Sequence, residues 1–279
     1  MHQSAIKMEN LKKKLRKMGR VVIAFSGGVD STFLIKVAYE VLGKNVVAVT
    51  AASSTYPKTE LEEAKRLARL MSVRHIIVNS RETETENFKR NPPDRCYYCK
   101  RELFSKLKEI AQKEGIKYIL DGTNYDDLVD FRPGMKAIKE LGIISPLQKA
   151  KLTKEDIREL SKKMNLDTWD KPSCACLASR FPYGVRITKE RLDRVEKAEA
   201  VIRGLGVRQL RVRYHNEIAR IEVDKKDMQV LLHHSDSIVK KFKELGFIYV
   251  TLDMEGYRTG SLNEVLRDEG KNREDIKGF

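Results

Sequence analysis

Arg20-Val21-Val22-Ile23-Ala24-Phe25-Ser26-Gly27-Gly28-Val29-Asp30-Ser31-Thr32-Phe33-Leu34 is the stretch whose reading decides the fold. Val21 to Phe25 form a short apolar run that ends in glycines, which is the pattern of a buried strand over 20–25. A helix follows, because Phe33, Leu34, Val37, Ala38 and Val41 recur at helical spacing and Gly43 supplies a left-handed stop. Strand, small-residue loop and helix N-terminus together make a phosphate cradle: the glycines let backbone N–H groups approach an anion, and the helix end adds its positive dipole. Ser26 and Ser31 have hydroxyls to donate to phosphate oxygens. Asp30 would repel phosphate directly, so its expected role is to hold Mg²⁺ against it.

The alternation continues outward. Strands are expected near 46–50, 75–78 and 118–121, with helices near 58–71 and 101–113, which implies a doubly wound α/β fold with a parallel sheet covered by helices on both faces. Ligands of such sheets bind beyond the carboxyl ends of the strands, where the Ser26 loop and Asp121-Gly122-Thr123 would lie. Past residue 184 the pattern changes to a long helical stretch, strands near 209–214 and 219–223, a helix to about 245 and a strand near 248–252. Two domains are therefore expected, 1–184 and a smaller α+β domain 185–279. The end after Asn263 reads as polar and mobile.

The chain has 279 residues, 41% of them hydrophobic and 34% charged, the composition of a globular protein. No apolar stretch is long enough to cross a bilayer, and the basic start runs into no secretory segment, so a cytoplasmic location is expected. The net charge of +15 favours anionic partners, and phosphorylated small molecules and RNA satisfy it alike. Ion-pair networks suited to high temperature are an equal reading of the same charge.

The loop lacks the lysine of a P-loop and the third glycine of a dinucleotide fingerprint. Ser26-Gly27-Gly28-Val29-Asp30-Ser31 instead resembles the pyrophosphate loop (PP-loop) of ATP pyrophosphatases such as GMP synthetase, NAD synthetase and tRNA thiolation enzymes. The resemblance implies an adenine nucleotide alpha hydrolase-like fold, ATP held by Ser26, Gly27, Gly28, Val29, Asp30, Ser31 and Gly122, and attack of a substrate oxygen on the α-phosphate.

The four cysteines narrow the choice. Cys96-Tyr-Tyr-Cys99 has the spacing that puts two thiolates on one metal or cluster, and Cys174-Ala-Cys176 adds two thiols later. Four thiolates would suit structural zinc. Three cysteines that leave one iron of a 4Fe-4S cluster open would make a place for an extra sulfide.

The segments Asn91-Pro92-Pro93-Asp94-Arg95-Cys96-Tyr97-Tyr98-Cys99-Lys100, Leu120-Asp121-Gly122-Thr123-Asn124, Phe131-Arg132-Pro133-Gly134 and Cys176-Leu177-Ala178-Ser179-Arg180-Phe181-Pro182-Tyr183-Gly184 resemble the LarE family, ATP-dependent sulfur transferases of nickel-pincer nucleotide synthesis. The likeness extends to Arg211-Val-Arg213-Tyr-His-Asn216 and Ala219-Arg220-Ile221-Glu222. It implies that Cys96, Cys99 and Cys176 hold an iron-sulfur cluster, or that Cys176 or Cys174 gives up its own sulfur. Cys174 is an additional thiol outside the cluster pattern. It also implies that Ser179, Arg180, Glu199, Arg211 and Arg213 line the substrate and phosphate region, arginine being suited to pairing two oxygens of one carboxylate or phosphate. Read without the likeness, Arg211 and Arg213 form a solvated strand face.

The expected reaction is adenylation of a carboxylate, by resemblance that of a pyridinium-3,5-biscarboxylate mononucleotide, with pyrophosphate held by the Ser26 loop. Sulfur insertion then releases AMP. ATP and Mg²⁺ are the expected cofactors, with a sulfur donor protein or sulfide as further partner and a homo-oligomer as the assembly. The alternatives are a tRNA thiolation enzyme, an ammonia-using NAD or GMP synthetase relative that needs no thiol, and an adenylate-binding sensor without turnover.

Overall fold

The structure is a computed structural model that describes residues 3–128, 133–173 and 175–266. Phe131, Arg132 and Cys174 of the sequence analysis lie outside these residues, as does the end of the chain beyond 266. The chain divides into two compact units, Met1–Cys174 and Ala175–Phe279.

In the first unit, helix α1 (Gln3–Met18) leads into strand β1 (Val21–Ala24), helix α2 (Val29–Leu42), strand β2 (Val46–Ala52), helix α3 (Lys58–Leu70) and strand β3 (Arg74–Asn79). A short helix α4 (Glu86–Lys89), a long helix α5 (Arg95–Lys113) and strand β4 (Tyr118–Leu120) follow, then helices α6 (Gly134–Glu140), α7 (Pro146–Lys149) and α8 (Lys154–Lys163). The sheet order is β3-β2-β1-β4 with all neighbours parallel, Val21 facing Val46 on one side and Tyr118 on the other. This is the doubly wound α/β arrangement expected from the alternation.

The central strand β1 is apolar on both faces because both are covered. Val21, Ile23 and Phe25 join one core with Phe33, Leu34 and Val37 of α2 and Leu11 and Leu15 of α1. Val22 and Val49 join another with Phe104 and Leu107 of α5. The ends of β1 and β4 therefore open on one edge of a rigid layer, and the connections that leave them carry the site.

Helix α5 begins at Arg95, not near residue 101. Pro92-Pro93-Asp94 stops the preceding chain and starts this helix, while Cys96, Tyr97, Tyr98 and Cys99 give no apolar periodicity by which its first turns could be read. Both cysteines thus sit within the first five residues of a helix instead of in a loop before one.

The second unit holds helix α9 (Lys189–Arg203), the hairpin of strands β5 (Leu210–His215) and β6 (Ile218–Val223), helices α10 (Met228–His233) and α11 (Ser235–Glu244), and strand β7 (Tyr249–Leu252). β6 pairs with β5 antiparallel and with β7 parallel, giving the sheet order β5-β6-β7. α9 packs on β5, and Val195, Ala198, Ile202, Val212, Ile221, Phe242 and Phe247 are buried in this unit. The other face of β5 carries Arg211 and Arg213, which are 5% and 6% exposed, so this is not a solvated strand face.

Among the described residues no helix is long and apolar enough to cross a membrane.

Candidate functional site

The first unit's site is built around the turn between β1 and α2. Gly27 has φ of +61°, and a Cβ there would lie 3.3 Å from the Cα and Cβ of Ala64 on α3, so both backbone conformation and space require glycine. Gly122, just beyond β4, meets α2 as closely: a Cβ would come to 3.1 Å from Ser31 N and 3.2 Å from Ser31 Cα. Gly122 therefore lets the β4 connection touch the first turn of α2.

Hydrogen bonds hold the turn in shape. Ser26 N–H donates to Ser31 Oγ at 3.2 Å, Ser31 Oγ donates to Gly28 O at 3.3 Å, and the Ser26 and Ser31 hydroxyls are 3.1 Å apart. The carbonyls of the turn face protein donors. Tyr56 Oη donates to Ser26 O at 2.6 Å, and Lys171 Nζ donates to Gly27 O at 3.0 Å while pairing with Glu60 at 2.7 Å. With its carbonyls engaged from the protein side, the turn presents its other face, hydroxyls and N–H groups at a helix N-terminus, to an anion.

Asp30 lies in the first turn of α2. Its Oδ2 pairs with Lys154 Nζ, and its Oδ1 accepts from Asn124 Nδ2 at 3.4 Å. Asn124 is fixed in that orientation because its Oδ1 already accepts Asp126 N at 2.9 Å and Asp127 N at 3.3 Å. Lys154 opens α8 behind a capping box formed by Thr153 and Asp156. A single carboxylate oxygen donor at a phosphate-ready turn suits Mg²⁺, which is held by one or two carboxylates together with substrate phosphates. Buried Asp121 accepts from Thr123 Oγ1 at 2.5 Å and Ser145 Oγ at 2.6 Å, with Lys100 Nζ at 3.9 Å.

Beneath the turn, Thr50 Oγ1 donates to Phe25 O at 2.7 Å and lies 2.8 Å from His75 Nε2. A hydroxyl has one proton, and the carbonyl can only accept it, so His75 carries its hydrogen on Nε2. Burial, with Lys65 nearby, pushes the His75 pKa below the ordinary histidine value.

Cys96 and Cys99 share one face of α5 at i, i+3 and are half-buried. α6 starts against them: a Cβ on Gly134 would lie 3.3 Å from Cys96 O and 2.8 Å from Lys100 Cδ. Tyr97 Oη donates to Glu140 at 2.7 Å, and its ring packs edge-on to Tyr98 at 5.4 Å. Two soft thiolates on one helix turn fit a metal cluster as neighbouring ligands. Among the described residues no group of three or more His, Cys, Asp or Glu side chains is arranged to hold a metal ion.

In the second unit, Cys176 precedes a tight turn over Leu177–Arg180 and its carbonyl accepts from Ser179 N, Ser179 Oγ and Arg180 Nη1 at 3.0, 2.8 and 3.0 Å. Arg180 is fully buried. It forks onto Glu199 at 2.8 and 3.0 Å and donates to Ala175 O at 2.7 Å. Glu199 also accepts Val212 N at 3.2 Å and pairs with Arg203 at 3.3 Å. Burial opposes its charge, but Arg180, aided by Arg203 and Arg211, outweighs burial and holds the carboxyl below the ordinary glutamate range. Arg213 forks onto Glu222 at 2.9 and 2.7 Å and donates to Ser179 O at 2.7 Å. Arg211 lies over the Tyr257 ring at 5.1 Å. Ser179, Arg180, Glu199, Arg213 and Glu222 therefore form one connected polar network that sets the Cys176 turn.

Lys154, Lys171, Glu60 and Tyr56 were not singled out from the sequence. Lys154, Lys171 and Tyr56 act on Asp30 or the Ser26 turn directly and Glu60 through Lys171, each from another part of the chain, and no local pattern marks them.

A family profile described as NAD synthase matches residues 4–95, which span α1 to the start of α5. The pyridinium-3,5-bisthiocarboxylic acid mononucleotide synthase of Lactiplantibacillus plantarum is 39% identical over 94% of this chain and 95% of its own. An uncharacterized protein of Synechocystis is 45% identical over 93% of this chain and 98% of its own, and one of Methanocaldococcus jannaschii is 32% identical over 91% and 97%. With the pyrophosphate-type turn between β1 and α2 and a likeness that covers both units, the chain belongs to the LarE family of ATP-using sulfur-inserting synthases.

Proposed function

We propose that this chain adenylates a carboxylate of a pyridinium dicarboxylate mononucleotide and replaces its activated oxygen by sulfur. The observation that carries the reading is the Ser26–Ser31 turn, with its carbonyls turned to Tyr56 and Lys171 and with Asp30 in the first turn of α2. A substrate carboxylate oxygen attacks the α-phosphorus of ATP, the bond to the bridging oxygen breaks, and pyrophosphate leaves into the turn. Sulfur then attacks the acyl carbon and the bond to AMP breaks. Adenylation is needed because oxide is too poor a leaving group for a thiolate to displace. The protein's part is positioning and charge neutralisation.

Asp30 would hold Mg²⁺, which supplies neutralisation of phosphate charge. Its present partner Lys154 has a substitute acceptor in the arriving phosphates. Cys96, Cys99 and Cys176 would hold a 4Fe-4S cluster, which supplies a site for the sulfur to be transferred; the other source is the Cys176 or Cys174 sulfur itself. Ser179, Arg180, Glu199, Arg211 and Arg213 would shape the substrate region. Domain 185–279 would then serve substrate binding or assembly into a homo-oligomer.

Incubation with ATP and the dicarboxylate mononucleotide should yield AMP and pyrophosphate in equal amounts, and ADP as product would refute the reading. Anaerobic preparation should give iron and sulfide in wild type and their loss in Cys96→Ala. One zinc and no iron after reconstitution would replace the cluster by structural zinc.

A further inference from the structure

Within the first unit, α1 and the end of α7 enclose a pocket of about 470 Å³, lined chiefly by Asn10, Lys13, Lys14, Lys17, Lys149 and Lys151. The four residues from α1 recur at i, i+3, i+4 and i+7, so they share one face over roughly 10 Å of helix. Leu11 and Leu15 anchor that helix in the core beside the stripe. The other wall is set by backbone. Ala150 N–H donates to Pro146 O and Leu152 N–H to Leu147 O, each at 3.0 Å, and Lys151 between them takes φ of +57°. This left-handed close of α7 fixes where Lys149 and Lys151 leave the main chain.

No acid enters the lining, and among the described residues none of the five lysines has an ion pair. Cations elsewhere on α1 are matched, Lys7 with Asp156 at 2.5 Å and Lys12 with Glu9 at 3.8 Å. Attraction to a helix C-terminus accounts for Lys17 and Lys149, which lie in last turns, but not for Lys13, Lys14 and Lys151 or for the concavity. A cleft walled by one sign of charge focuses its field and concentrates counter-ions. Lysine ammoniums are compact charges with three donors each, the form in which lysine binds phosphate. One phosphate cannot reach ammoniums spread along the helix, whereas a chain of linked phosphates can. The volume falls in the range of about 300–1,000 Å³ usual for small-molecule sites. Nucleic acid fits less well, because no aromatic ring or arginine lines the pocket for a base to stack on.

We propose that this lysine pocket is a second anion site, sharing no residue with the Ser26 turn or its supports, that takes a small molecule by a chain of two or more linked phosphates. Pyrophosphate and the triphosphate of a nucleotide share that chemistry. Recognition is of the phosphates alone, since nothing in the lining reads a base. The inference is independent of the function proposed above.

Isothermal titration of the full chain with tripolyphosphate in EDTA tests it. Binding should weaken about tenfold or more when three charges are removed together in Lys13→Gln, Lys17→Gln, Lys149→Gln, and Gly27→Ala should leave this component unchanged. Pyrophosphate, ATP and GTP are titrated in turn to separate the two sources. All should show the lysine-dependent component, and one seen with a single nucleotide but not with tripolyphosphate would overturn recognition by phosphates alone. Lysine acetylation read by mass spectrometry locates the site: tripolyphosphate should protect Lys13, Lys17 and Lys149 in wild type, which also decides the matter if the triple variant fails to fold. Equal affinity in a folded triple variant, or no protection, would overturn the proposal. A single-stranded RNA oligomer that binds through these lysines where tripolyphosphate does not would overturn it in favour of a nucleic-acid surface.

Discussion

Glu199→Gln should destabilise the second unit far more than its change of one atom suggests. In the native protein the carboxylate takes both arms of the Arg180 fork at 2.8 and 3.0 Å, a third contact from Arg203 at 3.3 Å and the Val212 N–H at 3.2 Å, and neither Arg180 nor Glu199 has exposed surface. Gln turns one of the two oxygens into a donor that faces a guanidinium and leaves a buried cation without its counter-charge. Breaking one partner of such a pair costs roughly 3–5 kcal/mol, and two charge-assisted bonds at about 1.5–3 kcal/mol each give the same range. Denaturant unfolding followed by circular dichroism measures the loss, and hydrogen exchange of β5 and β6 locates it.

The sign of the pH dependence follows from the lowered carboxyl. A group whose folded-state pKa lies below its unfolded value stabilises fully above the unfolded pKa and loses that contribution as pH falls through the folded one. The gap between wild type and Glu199→Gln should accordingly be full at neutral pH and close only in acid below the ordinary glutamate range. A loss under about 1 kcal/mol at neutral pH, inside the range of exposed ion pairs, would refute the reasoning.

Further outcomes follow from the first unit. Gly27→Ala forces a side chain into the left-handed region at about 1–2 kcal/mol and onto Ala64, so unfolding should shift by that amount and ATP affinity should drop with it in a binding titration. Asp30→Asn should fold normally yet lower pyrophosphate release about a hundredfold or more, and added Mg²⁺ should not rescue it; wild-type turnover in that variant would remove Asp30 from the chemistry. His75 is held below its ordinary pKa, so its share of stability is present above about pH 6.5 and falls as acid protonates the unfolded chain first. His75→Gln should flatten that slope in unfolding curves taken between pH 7 and 5.

The strand-turn-helix around Ser26 was legible because one short apolar run, two glycines and a helical repeat follow one another with no need of distant partners. The long α5 was legible only in its later turns, where Phe104, Leu107 and Ala111 repeat into the core. The region of α6 to α8 gave no reading, since α6 and α7 are short and their burial depends on neighbours far along the chain. One helix was expected up to residue 245, but the chain breaks at His234 between α10 and α11. Lys154 and Lys171 were invisible for a physical reason: they meet Asp30 and Gly27 across 124 and 144 residues of sequence. Arg211 and Arg213 show the reverse failure. Alternation placed them correctly on one face of β5, but alternation carries no information on whether a face meets water or Glu222.

The small sheet of the second unit has two unlike faces. Leu210, Val212 and Tyr214 with Ala219, Ile221 and Val223 form an oily one, and Arg211 and Arg213 with Arg220 and Glu222 form an ionic one. Burial of oil holds less firmly on cooling, whereas the penalty for taking charges out of water shrinks on heating. Each face is weakest where the other is strongest, so the sheet should keep its stability over a broader span of temperature than a sheet with two oily faces of the same area.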